Sequence, residues 1–250
     1  MSPAKVALIT GAGKKRVGFF IAEHLARRGF GLAIHYRTSA ADAADTIAHL
    51  QHQFGVPAKR FQADLRYEVQ VRAMIESVLG AFGRIDVLVN SAAIWEKKPL
   101  EEIKAEDVRL HFETNALSTF LCCQHAGLAM TQQTEGGCII NLGDWAEARP
   151  YVDYAAYFPS KGAVSAMTRS FAVELAMRNP KVRVNCILPG PVMLPADLSP
   201  SEREEAIRGT LVKHEGSPNN VAQAVMALID NEFVTGVCLP VDGGRTIAGA

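Results

Sequence analysis

The sequence has no excess of charge of either sign and no long hydrophobic run. Its 250 residues carry 26 Lys and Arg against 26 Asp and Glu, so the formal net charge at pH 7 is zero. A nucleic-acid-binding domain normally shows a basic excess, which argues against a nucleic-acid partner. No apolar stretch approaches the roughly 18 residues of a membrane-spanning helix. The N-terminal apolar run is short and soon meets glycines, so we expect no signal peptide, no membrane partner and a cytoplasmic location.

Cysteine is sparse, and no two cysteines form a Cys-x-x-Cys pair. The five are Cys122, Cys123, Cys138, Cys186 and Cys238. Because most of them lie in apolar segments, we expect small buried side chains in a reducing compartment. Neither a zinc site nor a disulfide framework is expected, and we predict no bound metal.

The chain also lacks linkers, charge blocks and low-complexity tracts, which predicts a single domain over residues 1–250. Short apolar runs alternate with amphipathic segments throughout. Strands are predicted at residues 5–10, 31–36, 58–63, 86–89, 138–142, 182–188 and 237–240. Helices are predicted at residues 17–28, 40–54, 68–82, 105–130, 154–178, 200–211 and 218–229. The strands show no polar alternation, as in a parallel α/β sheet covered by helices on both faces. An eight-fold β/α barrel is the competing fold.

The turn after the first strand reads TGAGKKRVG and spans residues 10–18. Its glycines would let backbone N–H groups approach a pyrophosphate, and a helix N-terminus favours negative charge. Lys14, Lys15 and Arg16 add cations at the same place. A glycine turn at this position of an α/β pattern predicts a dinucleotide site in an open sheet rather than a purely structural turn.

The end of the second strand discriminates between dinucleotides. An NAD site usually places an acidic residue there to bind the ribose hydroxyls. This chain instead has Tyr36, Arg37, Thr38 and Ser39. An arginine with hydroxyls suits a 2′-phosphate through charge-assisted hydrogen bonds, so we predict NADPH over NADH. The alternative is a solvated basic loop that sets no preference.

Tyr157 and Lys161 stand four residues apart, which places them on one face of a helix. A phenol beside an ammonium is a proton donor with a lowered pKa. Asp144 follows an apolar run and could meet both at the end of a strand. An ordinary helix face is the alternative for the tyrosine–lysine pair.

In order and over nearly the whole chain, these motifs resemble the short-chain dehydrogenase/reductases. The matching residues are Thr10-Gly11, Asp64, Asn90-Ser91-Ala92-Ala93, Asn115, Asn141, Tyr157 with Lys161, Pro189-Gly190 and Val241-Asp242-Gly243-Gly244. The resemblance implies a three-layer Rossmann fold with a seven-stranded parallel sheet, a homotetramer or dimer, and a small-molecule substrate. It also implies a mobile substrate loop near residues 190–215.

The resemblance assigns roles to individual residues. Tyr157 would donate a proton, Lys161 would lower its pKa and bind the nicotinamide ribose, and Asn115 would hold a water that links Lys161 to solvent. Residues implied in NADPH/NADP+ binding are Gly11, Lys15, Arg16, Val17, Tyr36, Arg37, Ser39, Asp64, Leu65, Asn90, Ala92, Lys161, Pro189, Gly190 and Val192.

Within the family the chain is similar to the pteridine reductases and dihydromonapterin reductases. A basic pair, Lys15-Arg16, stands in the turn; Asp144 stands where most members have a catalytic serine; Trp95 stands where an aromatic stacks on the pterin. This implies a substrate site of Arg16, Trp95, Asp144 and Tyr157, and hydride transfer to a pterin-like C=N bond.

Two alternatives stay open for the function: a carbonyl reductase acting on a 3-oxoacyl, sugar or alcohol-type substrate, and a cofactor-binding protein with little turnover. An ionised Asp144 only accepts hydrogen bonds, which suits a pterin's ring N–H and amino groups. Alternatively, Asp144 caps its loop and Ser160 or a water replaces the serine, while Trp95 merely packs under the loop. Pro159 fits a helix only in its first turn, so the helix begins late or bends there.

Overall fold

The computed structural model describes residues 4–196 and 198–248. Seven strands form one parallel sheet in the order β3-β2-β1-β4-β5-β6-β7. They are β1 Val6–Thr10, β2 Gly31–Tyr36, β3 Ala58–Gln62, β4 Val87–Asn90, β5 Gly137–Leu142, β6 Val182–Pro189 and β7 Cys238–Val241. The predicted fold class is therefore confirmed, with the predicted strand bounds correct to within one or two residues.

Helices cover both faces of this sheet. They are α1 Val17–Arg27, α2 Ala40–Phe54, α3 Glu68–Phe82, α4 Ala105–His111, α5 Ser118–Thr131, α6 Tyr157–Ala176, α7 Pro200–Arg208 and α8 Pro218–Asp230. The core on one face contains residues of α1, α2 and α8, and the core on the other contains residues of α3, α5 and α6. Within β1, Ile9 joins the first core and Leu8 the second, both with no exposed surface. Because both sides of a strand are buried, its sequence reads as a continuous apolar run.

Three predicted helices differ from the structure, and one of them, expected at residues 200–211, ends at Arg208. The long helix expected at residues 105–130 is interrupted by a π-helical turn, Phe112–Leu117, which contains Asn115. The helix expected from residue 154 begins at Tyr157 instead. This late start makes Pro159 the third helical residue, where a backbone N–H has no intrahelical acceptor, so the proline removes no hydrogen bond.

His35, which the sequence pattern placed inside an apolar strand, joins the ends of three strands. The Gly11 N–H donates to His35 Nδ1 over 3.0 Å, and His35 Nε2 lies 3.0 Å from the Ala63 carbonyl oxygen. Nδ1 is thus the acceptor nitrogen, and the proton is on Nε2. Burial lowers the pKa of His35 from 6.5 to about 4, so the ring is neutral and holds the first glycine turn against β2 and β3.

We expect His35 to make the stability of this edge pH-dependent. Because its folded-state pKa lies below the unfolded value, the stabilisation is complete above pH 6.5 and is lost as the pH falls from 6.5 towards about 4. The shift in the pKa of His35 corresponds to about 3 kcal/mol at most in the free energy of unfolding. The His35→Asn variant keeps an acceptor for the Gly11 N–H but does not titrate, so its free energy of unfolding should fall less steeply over this range.

Urea unfolding at several pH values measures this difference. His52 is exposed on α2, and His52→Asn is the matched control, with an unfolding profile that follows the parent protein. Equal slopes for the parent and His35→Asn would contradict the assignment.

Candidate active site

The predicted site residues gather at the carboxyl edge of the sheet, around the point where the strand order reverses between β1 and β4. Open α/β sheets bind ligands in the crevice at such a point. Gly11 follows β1, Ala92 follows β4, Asp144 follows β5, and Pro189 ends β6. Residues more than 170 positions apart in the chain are thereby brought to one edge.

The turn after β1 and the turn after β4 are locked together. Thr10 Oγ1 accepts the backbone N–H groups of Ser91 and Ala92 over 3.0 and 3.1 Å. Ser91 Oγ donates in return to the Thr10 carbonyl. Gly11 has φ +67°, and a Cβ there would lie 2.8 Å from Ala92 Cα. Only glycine combines this left-handed backbone with so close an approach.

The N-terminus of α1 lies beside these two turns, and no acidic side chain neutralises the positive end of its dipole. The N-cap is Arg16, with no side-chain cap, and the first helical turn contains no acidic residue. Lys14, Lys15 and Arg16 are exposed around it, and Val17 is half-buried. Free backbone N–H groups, the helix dipole and three cations together suit a pyrophosphate.

At the end of β2, Arg37 is exposed, while Tyr36 and Ser39 are half-buried. The first glycine turn packs against this segment, because a Cβ on Gly13 would lie 3.0 Å from Tyr36 Cβ and 3.3 Å from Ser39 Oγ. The cationic side chain and the hydroxyl therefore stand beside the pyrophosphate cradle. This arrangement fits an adenosine ribose that carries a 2′-phosphate.

Asp64 makes a contact that the sequence did not reveal. Arg66 Nη2 lies 2.6 Å from its Oδ2, and this hydrogen bond holds the pKa of Asp64 below its usual value. The Leu65 side chain is buried in the core, and Asn90 is buried with its Nδ2 2.9 Å from Asn141 Oδ1. Contacts of these three residues with an adenine or nicotinamide stay predictions.

Tyr157 and Asp144 are hydrogen-bonded. The Tyr157 hydroxyl donates to Asp144 Oδ2 over 2.8 Å, while Asp144 Oδ1 accepts the Ala146 N–H over 2.9 Å. Asp144 thus caps the 3-10 turn Trp145–Glu147 and also contacts the predicted proton donor. The sequence allowed Asp144 to be a loop cap or a residue beside Tyr157, and its contacts in the structure include both.

The predicted lowering of the Tyr157 pKa by Lys161 is outweighed in this structure. Burial and then the Asp144 carboxylate raise the pKa of Tyr157 well above its ordinary value. Lys161 Nζ lies 6.0 Å from the Tyr157 ring centroid and donates to the Leu142 carbonyl over 2.8 Å. The carboxylate that contacts the phenol therefore dominates over the more distant ammonium.

Burial also shifts the pKa values of Asp144 and Lys161. It raises the pKa of Asp144 and lowers the pKa of Lys161, which is 5% exposed. Both shifts favour the neutral forms, since charge is costly where water is excluded. The site therefore combines Asp144, Tyr157 and Lys161 in surroundings that disfavour the charged form of each.

Asn115 and Ser160 are engaged by the protein. The Asn115 side chain clamps the loop after β4, accepting the Ile94 N–H over 2.8 Å and donating to the Ile94 carbonyl over 3.0 Å. It also donates to Ser160 Oγ, and Ser160 in turn donates to the Tyr157 carbonyl over 2.6 Å. Ser160 has no exposed surface, so it is not positioned to replace a catalytic serine. A water held by Asn115 stays a prediction.

Trp95 forms part of an aromatic wall beside Tyr157. Its ring stacks on Tyr154 with centroids 4.8 Å apart and an interplanar angle of 9°, and the residue is 41% exposed. Tyr151 contacts Tyr154 and also stacks near Trp145. Trp95 therefore packs against the protein with one part of its ring and leaves another part exposed to a flat ligand.

The predicted substrate loop contains α7, and Asp197 within it lies outside the described residues. Its start is fixed because a Cβ on Gly190 would lie 2.5 Å from Asp242 Cα, and Val192 is buried in the core. Arg245, which sequence reasoning missed, donates to the Ala206 carbonyl in α7. Its guanidinium lies 4.7 Å from the Trp145 ring, so it joins the loop to the turn that follows Asp144.

Within residues 4–196 and 198–248, no group of three or more His, Cys, Asp or Glu could hold a metal ion. No helix in that part of the chain is long and apolar enough to cross a membrane.

Comparisons with known proteins agree with this architecture. A family model described as enoyl-(acyl carrier protein) reductase matches residues 11–246. An uncharacterised oxidoreductase of Methylorubrum extorquens is 35% identical over 247 residues, covering 96% of this chain and 97% of that protein. A 3-oxoacyl-[acyl-carrier-protein] reductase of Staphylococcus aureus is 32% identical, covering 98% and 99%. The crystal structure of acetoin dehydrogenase from Enterobacter cloacae superposes with a TM-score of 0.88 at 31% identity, covering 100% of this chain and 98% of that one.

The family model and the relatives match nearly the whole chain, and the tyrosine–lysine pair lies at the edge of the sheet. The chain is therefore a member of the short-chain dehydrogenase/reductase family of oxidoreductases.

Proposed function

We propose that this oxidoreductase uses NADPH to reduce the C=N bond of a pterin-like heterocycle, with Tyr157 as the proton donor. The observation that carries the proposal is the 2.8 Å hydrogen bond between the Tyr157 hydroxyl and the Asp144 carboxyl. It places a proton donor beside a group that can bind ring N–H and amino groups of a substrate.

The choice of NADPH rests on the residues around the Gly11 turn and the N-terminus of α1. Backbone N–H groups and Lys14 to Arg16 would hold the pyrophosphate, and Arg37 with Ser39 would hold a 2′-phosphate. When bound, the nicotinamide supplies the hydride. The protein residues supply the position and the proton.

Tyr157 would pass its proton to the substrate nitrogen as the neighbouring carbon is reduced. Its neutral state is secured by burial and by Asp144, which keep the pKa of the phenol high. A phenol with a high pKa is a weak acid, so proton transfer needs a group that stabilises the phenolate as it forms. Lys161, held by the Leu142 carbonyl, is the cation placed to do so and to bind the nicotinamide ribose.

Asp144 and Trp95 support the choice of a flat nitrogen heterocycle. An ionised carboxylate beside a carbonyl oxygen would repel its developing negative charge, whereas it accepts hydrogen bonds from N–H groups. The exposed part of Trp95, already stacked on Tyr154, provides an aromatic surface for a planar ring.

A carbonyl substrate is the second candidate, and the raised pKa of Asp144 favours it. Burial raises the pKa of Asp144, and the neutral carboxyl group would donate to a carbonyl oxygen as a serine hydroxyl does. The relatives named 3-oxoacyl-[acyl-carrier-protein] reductase and acetoin dehydrogenase act on oxygen-containing substrates by name.

The working form proposed here is a homo-oligomer, a tetramer or dimer, in the cytoplasm. Exposed apolar side chains on α5, on α6 and directly after α6 support an interface on those helices; they include Phe120, Leu128, Val173 and Met177. An apolar surface of this kind is typical of a subunit contact.

Arg37→Asp should reverse the cofactor preference. A charge-assisted hydrogen bond contributes about 1.5–3 kcal/mol, so its loss lowers kcat/KM for NADPH by roughly 10- to 100-fold while NADH is affected less. Arg72 is exposed on α3, away from the β2 end, and Arg72→Asp is the charge-matched control. An unchanged NADPH-to-NADH ratio in Arg37→Asp would refute the phosphate assignment.

Asp144→Asn should move the basic limb of the pH profile of kcat/KM to lower pH. The Asp144 carboxylate raises the pKa of Tyr157, so its neutral replacement lets the phenol ionise at lower pH. Asp153→Asn is the control, because Asp153 is equally partly buried, has φ +67° that asparagine tolerates, and lies 3.8 Å from Lys97. A limb that moves in Asp153→Asn but not in Asp144→Asn would contradict the role of Asp144.

The function itself is tested by following NADPH oxidation with dihydrobiopterin, dihydrofolate and a dihydromonapterin beside 3-oxoacyl and other keto substrates. We expect turnover of the pterins, and a loss of about 10²- to 10⁴-fold in Tyr157→Phe. Turnover of ketones alone would replace the pterin substrate and keep the reductase. Cofactor binding without any turnover would favour a cofactor-binding protein instead.

A further inference from the structure

Two cysteines lie side by side beneath the candidate active site. Cys186 in β6 and Cys238 at the start of β7 are register partners in neighbouring parallel strands, and Cys238 packs against the small apolar cluster that contains Cys186. Parallel strands are about 4.8 Å apart. Disulfides span Cα separations of about 4.4–6.8 Å, and the spacing of neighbouring strands falls within this range.

The two thiols differ in a way that suits disulfide chemistry. Cys186 is fully buried, whereas Cys238 is partly exposed and its Sγ lies 3.7 Å from the exposed Arg169 guanidinium. The neighbouring Cys186 thiol and the Arg169 charge hold the pKa of Cys238 below its usual range. The neighbouring Cys238 and burial raise the pKa of Cys186. Cys238 is thus the thiolate that reacts first, and Cys186 is the thiol that follows.

The remaining cysteines lack these features. Cys122, Cys123 and Cys138 are fully buried, and burial raises the pKa of each thiol, to about 12 for Cys123 and about 11 for Cys138. A buried thiol with a raised pKa is inert towards oxidants. The reactivity of the chain is therefore concentrated at the β6–β7 pair.

One sulfur atom packs against the segment that carries Asp144, and the other is linked to that segment through Ser165. A Cβ on Gly143 would lie 3.1 Å from Cys186 Sγ, so this sulfur packs directly against the residue before Asp144. Cys238 Sγ lies 3.9 Å from the Ser165 carbonyl oxygen. The Ser165 hydroxyl lies 2.6 and 2.8 Å from the two carboxyl oxygens of Glu147, in the turn that Asp144 caps.

We propose that Cys186 and Cys238 form a redox site that closes to a disulfide on reaction with a hydroperoxide and slows the reductase. The Cys238 sulfur attacks one peroxide oxygen, the O–O bond breaks and the alcohol or water leaves, which gives a sulfenic acid. The Cys186 sulfur then attacks the Cys238 sulfur, the S–O bond breaks, and the released hydroxide takes the Cys186 proton as water. The two thiols supply the two electrons that reduce the peroxide.

Closure of the bond draws the Cys186 sulfur towards β7 and away from Gly143. The close contact under the loop is lost, and the Asp144–Tyr157 hydrogen bond depends on that loop. The slowing of catalysis rests on the proposed function, whereas formation of the disulfide does not.

The test treats the full chain with hydrogen peroxide, alkylates free thiols under denaturing conditions and maps the peptides by mass spectrometry. A disulfide joining Cys186 to Cys238, removed by dithiothreitol, with the other three cysteines alkylated, is the expected result. Cys186→Ser should leave a sulfenic acid on Cys238 that dimedone traps. Cys122→Ala is the matched control and should form the same disulfide. Reduced Cys186 and Cys238 in the treated parent protein, or oxidation at another cysteine, would overturn the site.

Activity is measured in parallel with the substrate that the NADPH screen identifies. Oxidised parent protein should lose at least several-fold in kcat and recover it with dithiothreitol, while Cys238→Ser keeps its activity under peroxide. A mapped disulfide with unchanged kcat would overturn the regulatory effect. Failure of every substrate in the screen would leave the disulfide mapping valid, so the two proposals fail separately.

Discussion

The site depends on one constraint, which is the close contact between the turn after β1 and the turn after β4. Thr10 binds two backbone N–H groups of the fourth strand's turn, and Gly11 approaches Ala92 so closely that any side chain would collide. This contact sets the width of the crevice where the strand order reverses. The N-terminus of α1 opens on one side of it, and the loop that leads to Trp95 leaves on the other.

Across the sheet, Asp144 stands where the family resemblance places a serine, and it is hydrogen-bonded to Tyr157. Tyr157 donates to Asp144, Lys161 is held by a carbonyl oxygen, and burial shifts all three pKa values towards the neutral forms. Such a site is sensitive to the position of its loops, because a carboxyl group acts as acceptor or donor according to its protonation. This sensitivity connects catalysis to the Cys186–Cys238 pair below the same loop.

The sequence was sufficient for the fold and for the expectation that the candidate site residues meet at one edge of the sheet. Apolar strands without alternation require a sheet buried on both faces, and the alternation with helices requires it to be parallel. Glycine at the first turn and Arg37 after β2 indicate a dinucleotide through local chemistry alone. The position of Pro159 implied a late helix start, and the structure begins α6 at Tyr157.

The tertiary structure decided what depends on distance between remote segments. The pKa of Tyr157 rises because Asp144, 13 residues away in sequence, contacts the phenol, while Lys161 on the same helix is farther from it. Ser160 is committed to Asn115 and the helix backbone, and His35 and Arg245 join segments that no local pattern relates. The pairing of Cys186 with Cys238 follows from the register of β6 on β7. Local sequence sets which groups are available, and packing sets which of them meet and how strongly their charges interact.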